Sequence, residues 1–111
     1  MCLLFLPLSA SALTKYTTES SAYAIRYVFG DVGGAMVAIA HCESRLNNDT
    51  EVLDTNNKKS RGLLQLNGSN GDFEGWDIPY LNALKAKELY DKNGFYPWYN
   101  CARSLKLIKD S

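Results

Sequence analysis

The apolar positions of this chain gather into helical blocks, set apart by polar and glycine-rich stretches. "SSAYAIRYVF" (20–29) predicts a first short helix ending at Gly30. Asp31 is placed to cap the next helix, and Gly33 and Gly34 permit close backbone approach near its start. That second helix, "AMVAIAHCESRL", runs to about Leu46 and has the clearest pattern. "NNDTEVLDTNNKKS" (47–60) is polar and rich in Asn and Asp, which predicts a loop or a weak hairpin turning at Asn56–Asn57. "RGLLQLNGSNGDFEGW" (61–76) joins an apolar patch to glycines and turn formers. It reads as an extended segment or a short turn of helix, followed by a surface loop. "DIPYLNALKAKELYDKNG" (77–94) predicts a third helix, with Pro79 suited to its first turn and Gly94 to its C-terminal cap. A last helix in "YPWYNCARSLKLI" (96–108) opens after Pro97. The expected fold class is mainly α, a small helical domain with little or no β structure.

Composition narrows this picture. A chain of 111 residues, 46% apolar, has room for one small folded domain and is not a mainly disordered chain. Twelve basic and twelve acidic side chains cancel, which argues against nucleic acid as a partner. The opening "MCLLFLPLSASA" (1–12) reads as the end of a secretory signal with a small-residue cleavage pattern at Ala10-Ser11-Ala12, although its usual positive start is missing. The domain is then 13–111, in a secreted protein or one of the periplasm or cell envelope. Neither the opening run nor any other segment is expected to be long enough to span a membrane. Cleavage after Ala12 removes Cys2 and leaves Cys42 and Cys101, an even pair that an oxidising compartment favours as a disulfide. Two free thiols or metal ligands are the rival readings, and the spacing of two cysteines and His41 does not suit zinc. No cofactor is expected.

One residue stands out chemically. Glu43 follows Met36, Ile39 and Ala40 by seven, four and three residues, so a carboxylate shares the apolar face of the second helix. Burial there disfavours the charged form and keeps the proton on, as a general acid requires. An ordinary exposed glutamate near a helix end is the bland alternative. A serine hydrolase is set aside, because no nucleophile elbow accompanies His41.

Four blocks then occur in order: "HCESRLN", "SRGLLQLN", "WDIPYLNALKAKELY" and "GFYPWYNC". Together they resemble the lysozyme-like lytic transglycosylase superfamily in its small single-domain forms, over residues 36 to 101. The resemblance implies that Glu43 is the catalytic acid/base and Ser44 the serine that follows it. It implies that Ser60, Gly62, Leu63 and Gln65 line the other side of a cleft, where the glutamine contacts sugar. It places Asn82 and Tyr90 on a helix bordering the site. Leu64 departs from the usual methionine or phenylalanine, and Asn67-Gly68 departs from other members, so the resemblance assigns no substrate contact to Asn67 or Gly68. From the residues alone, Gln65 also fits a solvent-facing loop, Tyr90 also fits the core, and Trp98 belongs to the core. Lys58, Lys59 and Arg61 could attract an anionic peptide stem or form a solvated basic run.

The substrate so implied is the glycan strand of peptidoglycan, cut by a monomer at the bond between N-acetylmuramic acid and N-acetylglucosamine. Glycan hydrolysis usually needs two carboxylates. Asp49, Glu51 and Asp54 are candidates for the second, and no motif fixes any of them. One confident acid favours a lytic transglycosylase, which leaves a 1,6-anhydro end. A hydrolytic muramidase and a non-catalytic glycan-binding module are the alternatives.

Overall fold

The computed structural model of the protein describes residues 16–70 and 73–109. The expected signal (1–12), with Cys2, lies outside them. Four α-helices and a small sheet make up the described chain: α1 (Thr18–Phe29), α2 (Gly33–Ser44), β1 (Glu51–Leu53), β2 (Lys59–Arg61), β3 (Leu66–Asn67), α3 (Pro79–Asn93) and α4 (Tyr99–Ser104). Short 3-10 turns at Gly30–Val32, Gly68–Asn70 and Tyr96–Trp98 lie between them.

Helix α1 starts two residues before its predicted block because Thr17 caps it. The Thr17 hydroxyl accepts from the Ser20 amide at 2.9 Å, and the Ser20 hydroxyl accepts from the Thr17 amide at 3.0 Å. This reciprocal pair satisfies two backbone donors at the helix end. Gly30, at φ 60°, turns the chain into the 3-10 segment. Asp31 lies inside that segment and does not cap α2, whose N-cap is Val32 without a side-chain hydrogen bond. Of the two glycines that follow, Gly33 is the one at a close approach: a Cβ there would lie 2.9 Å from the Arg26 Cα, whereas Gly34 faces open space. In α3, Pro79 opens the first turn and the Gly94 amide closes the last one on the Tyr90 carbonyl.

The three strands correct the expectation of little or no β structure. They form an antiparallel sheet in the order β1-β2-β3, with Val52 opposite Ser60 and Arg61 opposite Leu66. The β1–β2 hairpin turns through residues 54–58, where Asn57 has φ 64°. Ser60 and Leu66 are the buried residues of the sheet, and Leu66 joins the hydrophobic core.

The core gathers Ile25 and Phe29 of α1, Met36, Ile39 and Ala40 of α2, Ala83 and Ala86 of α3, and Leu63 and Leu64 of the turn after β2. Taken through the 3-10 turn as one run, Thr18–Ser44 spans 27 largely apolar residues. By length and composition alone it could cross a bilayer, contrary to the sequence expectation. The chain breaks at Gly30, however, and α1 and α2 pack on each other, so these apolar residues supply the core of the domain. The final connection is covalent. Cys42 at the end of α2 is disulfide-bonded to Cys101 in α4, with the two Cα atoms 6.0 Å apart.

Candidate active site

Helix α2 delivers Glu43 to the floor of an open cleft of about 560 Å³. The helix ends one residue later, and the chain leaves it through Arg45 and Leu46, both in the left-handed region at φ 56° and 60°. Ser44, next to the acid, is buried. Its hydroxyl donates to the Leu63 carbonyl at 2.7 Å and lies 3.1 Å from the Ala40 carbonyl, which ties the end of the helix to the turn after β2. Glu43 is therefore carried on backbone anchored from two sides.

The opposite wall comes from the hairpin. Asp54 follows β1, and its amide donates to the Lys58 carbonyl at 2.9 Å. Its side chain reaches the cleft together with Thr55, Asn56 and Ser60. The Ser60 hydroxyl and the Asn67 amide (2.9 Å) both donate to Asp54 Oδ2. Asn67 and Asn56 hydrogen-bond to each other, the Asn56 amide donating at 2.7 Å. A third side is built by Pro97, Trp98, Tyr99 and Asn100, with Cys101 of the disulfide behind them. The indole of Trp98 is almost fully buried and donates to the Leu64 carbonyl at 2.8 Å, so this wall is fixed to the core.

The cleft alters the chemistry of Glu43. Burial raises its pKa above the usual 4.5, and the negative charge of Asp54 pushes in the same direction. Both effects favour the protonated acid. Of the three acids left open by the sequence, the structure brings Asp54 into the cleft; Glu51 instead pairs with Arg61 at 2.8 Å, and both Asp49 and Glu51 are exposed.

The other residues implied by the resemblance divide into two groups. Glu43, Ser60 and Gln65 line the cleft. Gln65 occupies a left-handed conformation at φ 49°, and its amide donates to the Thr50 and Gly62 carbonyls, so it braces the turn as well as facing the cleft. Gly62, Leu63, Asn82 and Tyr90 are not cleft-lining residues. Gly62 was expected to line the cleft, but the space beside it is filled: a Cβ would lie 2.3 Å from Asn82 Nδ2 and 2.5 Å from the Trp76 carbonyl. Leu63 is wholly buried in the core. Asn82, also wholly buried, accepts from the Leu64 amide at 3.0 Å and donates to the carbonyls of Trp76 (2.9 Å) and Arg61 (3.3 Å). It shapes the turn that carries Gln65. Tyr90 packs edge-on against Phe29 and Phe95. Lys58 and Lys59 are exposed on the hairpin, and Arg61 lies over the Trp76 ring.

Sequence reasoning missed Asn56, Tyr99 and Asn100 and left Asn67 unassigned. The polar run "DTNN" and the later "LNGSN" held the signal for Asn56 and Asn67, because a hairpin turning at Asn56–Asn57 brings the two runs together. Among the described residues, no cluster of three His, Cys, Asp or Glu side chains could hold a metal ion. No protein-family model matches the chain, and no curated protein matches it.

Proposed function

We propose that this protein cleaves the glycan strands of peptidoglycan, with Glu43 as the proton donor. The observation that carries this reading is a half-buried carboxyl in an open polar cleft that a second carboxylate also lines, burial and that second charge together holding the proton on Glu43. A carboxyl perturbed by burial together with a specific charge partner, in a cleft, is a candidate catalytic group. The resemblance in the blocks around Glu43 and Gln65 supplies the substrate class, and the disulfide agrees with export to an oxidising compartment.

In the first step Glu43 gives its proton to the glycosidic oxygen between N-acetylmuramic acid and N-acetylglucosamine as the bond to the anomeric carbon breaks. The negative charge of Asp54 stabilises positive character at that carbon. A water molecule then attacks the anomeric carbon and returns a proton to Glu43. Asp54 favours this hydrolytic route, that of a muramidase, because it supplies the second carboxylate that the sequence had not fixed. The second reading is the lytic transglycosylase favoured from sequence. There, Glu43 draws the proton from the sugar's own primary hydroxyl, which closes a 1,6-anhydro ring. It rests on the family resemblance and on the well-placed Glu43.

Digestion of purified peptidoglycan in heavy-oxygen water, read by mass spectrometry, separates the routes. Reducing ends carrying the heavy isotope are expected. Anhydro ends without solvent oxygen would replace hydrolysis with transglycosylation. No cleavage by the disulfide-bonded protein would remove the enzymatic reading and leave a glycan-binding module.

A further inference from the structure

Asn67, one of the residues that depart from the pattern the resemblance implies, bonds to several of the polar side chains lining the cleft. Its amide nitrogen lies 2.9 Å from Asp54 Oδ2, 3.2 Å from Ser60 Oγ and 3.3 Å from Asn56 Oδ1. Its carbonyl oxygen accepts from the Asn56 amide at 2.7 Å and from the Ser69 backbone at 3.0 Å. Asn56 in turn accepts from the Lys58 amide at 3.0 Å, which fixes the hairpin turn that carries Asp54. One side chain on β3 thus joins the hairpin turn, β2 and the 3-10 turn that follows β3.

We propose that Asn67 is a positioning residue for Asp54: with Ser60 it clamps the carboxylate on the inner side of the hairpin, facing the Glu43 acid across the cleft. Without the clamp, Asp54 stands on a five-residue turn between exposed strand ends and is free to rotate into water. An amide suits this task because one N–H donates to the carboxylate and the other is left for Ser60 and Asn56, while its oxygen accepts from the Asn56 amide and the Ser69 backbone. A leucine of similar size would fill the space and supply neither. Asn67 acts at the site through Asp54 and not on the reacting bond. The inference rests on the reading of Glu43 and Asp54 as the acid pair.

The charged groups around Asp54 are few. Glu43 faces it from α2, the Glu51–Arg61 pair occupies the neighbouring strands, and Lys58 and Lys59 of its own hairpin are exposed. The wall from Pro97 to Cys101 contributes Tyr99 as its one ionisable side chain, since Cys101 is disulfide-bonded. Moving the Asp54 charge away from Glu43 therefore removes the electrostatic part of what keeps the acid protonated, and burial remains.

The test uses the oxidised protein with Asn67→Leu, Asp54→Asn and the double variant; Asn67→Ser replaces Asn67→Leu if the latter fails to fold. Carbon-detected titration of Glu43 needs no turnover. It is expected to show the Glu43 midpoint moved down toward 4.5 in Asn67→Leu and in Asp54→Asn alike, with no further movement in the double variant. On peptidoglycan, kcat is expected to fall by roughly 10- to 100-fold in Asn67→Leu, the scale of a catalytic group displaced by about 1 Å, with KM within about twofold. The alkaline limb of the pH profile should shift to lower pH. A Glu43 midpoint unmoved in Asn67→Leu but moved in Asp54→Asn overturns the proposal, as does an additive double variant. Absence of cleavage by the wild type would instead overturn the enzymatic reading, and the titration would still decide the role of Asn67.

Discussion

At the scale of single residues, Glu43 spends stability to keep its proton. A carboxyl whose pKa is raised by folding binds its proton more tightly in the folded state than in the unfolded one. Its contribution is fully present below the ordinary value of 4.5 and is lost as the pH rises through the raised folded value. Glu43→Gln removes this dependence. The variant is expected to be more stable than the wild type at neutral pH and to lose that advantage below about pH 4; urea denaturation at pH 4 and pH 7 measures both. The same variant should lose cleavage by at least about 10²-fold, the usual weight of a general acid. Equal stability profiles would mean that the carboxyl is solvated, and undiminished cleavage would show that it is not the acid.

At the scale of elements, the helices and a weak hairpin turning at Asn56–Asn57 were legible in the sequence, and the three-stranded sheet built on that hairpin was not. The face of α2 follows from the spacing of Met36, Ile39 and Ala40, and the ends of α3 from Pro79 and Gly94, because these signals are local. Strands β1 and β2 are three residues each, and Ser60 is the one buried residue among the six, so no alternation of apolar and polar positions exists to be read. Their pairing is set by the turn at Asn56–Asn57 and by contacts distant in sequence. The same distance hid Asp54: which of three acids meets Glu43 depends on where the hairpin folds back. Asn82 was misleading for a related reason. An inward-facing amide announces that it needs partners but not whether they are sugar or backbone.

The turn after β2 carries its own prediction. Gly62, at φ 79°, leaves no room for a Cβ beside Asn82 and Trp76. Gly62→Ala is expected to destabilise the protein by about 2 kcal/mol or more, from left-handed strain and overpacking together. Thermal or urea unfolding reads this directly, and a loss below about 0.5 kcal/mol, the scale of an ordinary surface change, would contradict the packing described.

For the whole molecule, the disulfide is the one covalent cross-link among the described residues. It joins α2 to α4 across a sequence separation of 59 residues and ties the end of the helix bearing Glu43 to the wall built from Pro97 to Cys101. Constraining a loop of that length in the unfolded chain stabilises the fold by about 4 kcal/mol in the chain-entropy account. A small domain has little stability in reserve. Replacing both cysteines by serine should therefore lower the unfolding free energy by about that amount, as measured in denaturant. A fall under about 1 kcal/mol would show that the reduced chain retains the same constraint by other means.

The hairpin has a further consequence, in the rates at which different parts of the molecule open. Strand β1 lies at the sheet edge with all three of its side chains exposed, whereas Ile39 and Ala40 of α2 are completely buried. Edge segments with few buried contacts open locally at a fraction of the global unfolding free energy. Glu43 and Asp54 therefore belong to parts of the molecule that let go at different times. Amide hydrogen exchange should show Asp54 and Asn57 exchanging well before Ile39 and Ala40, and cleavage should fade in mild urea while the helical signal persists. Uniform protection across both segments would mean that the hairpin and the helix open as one unit.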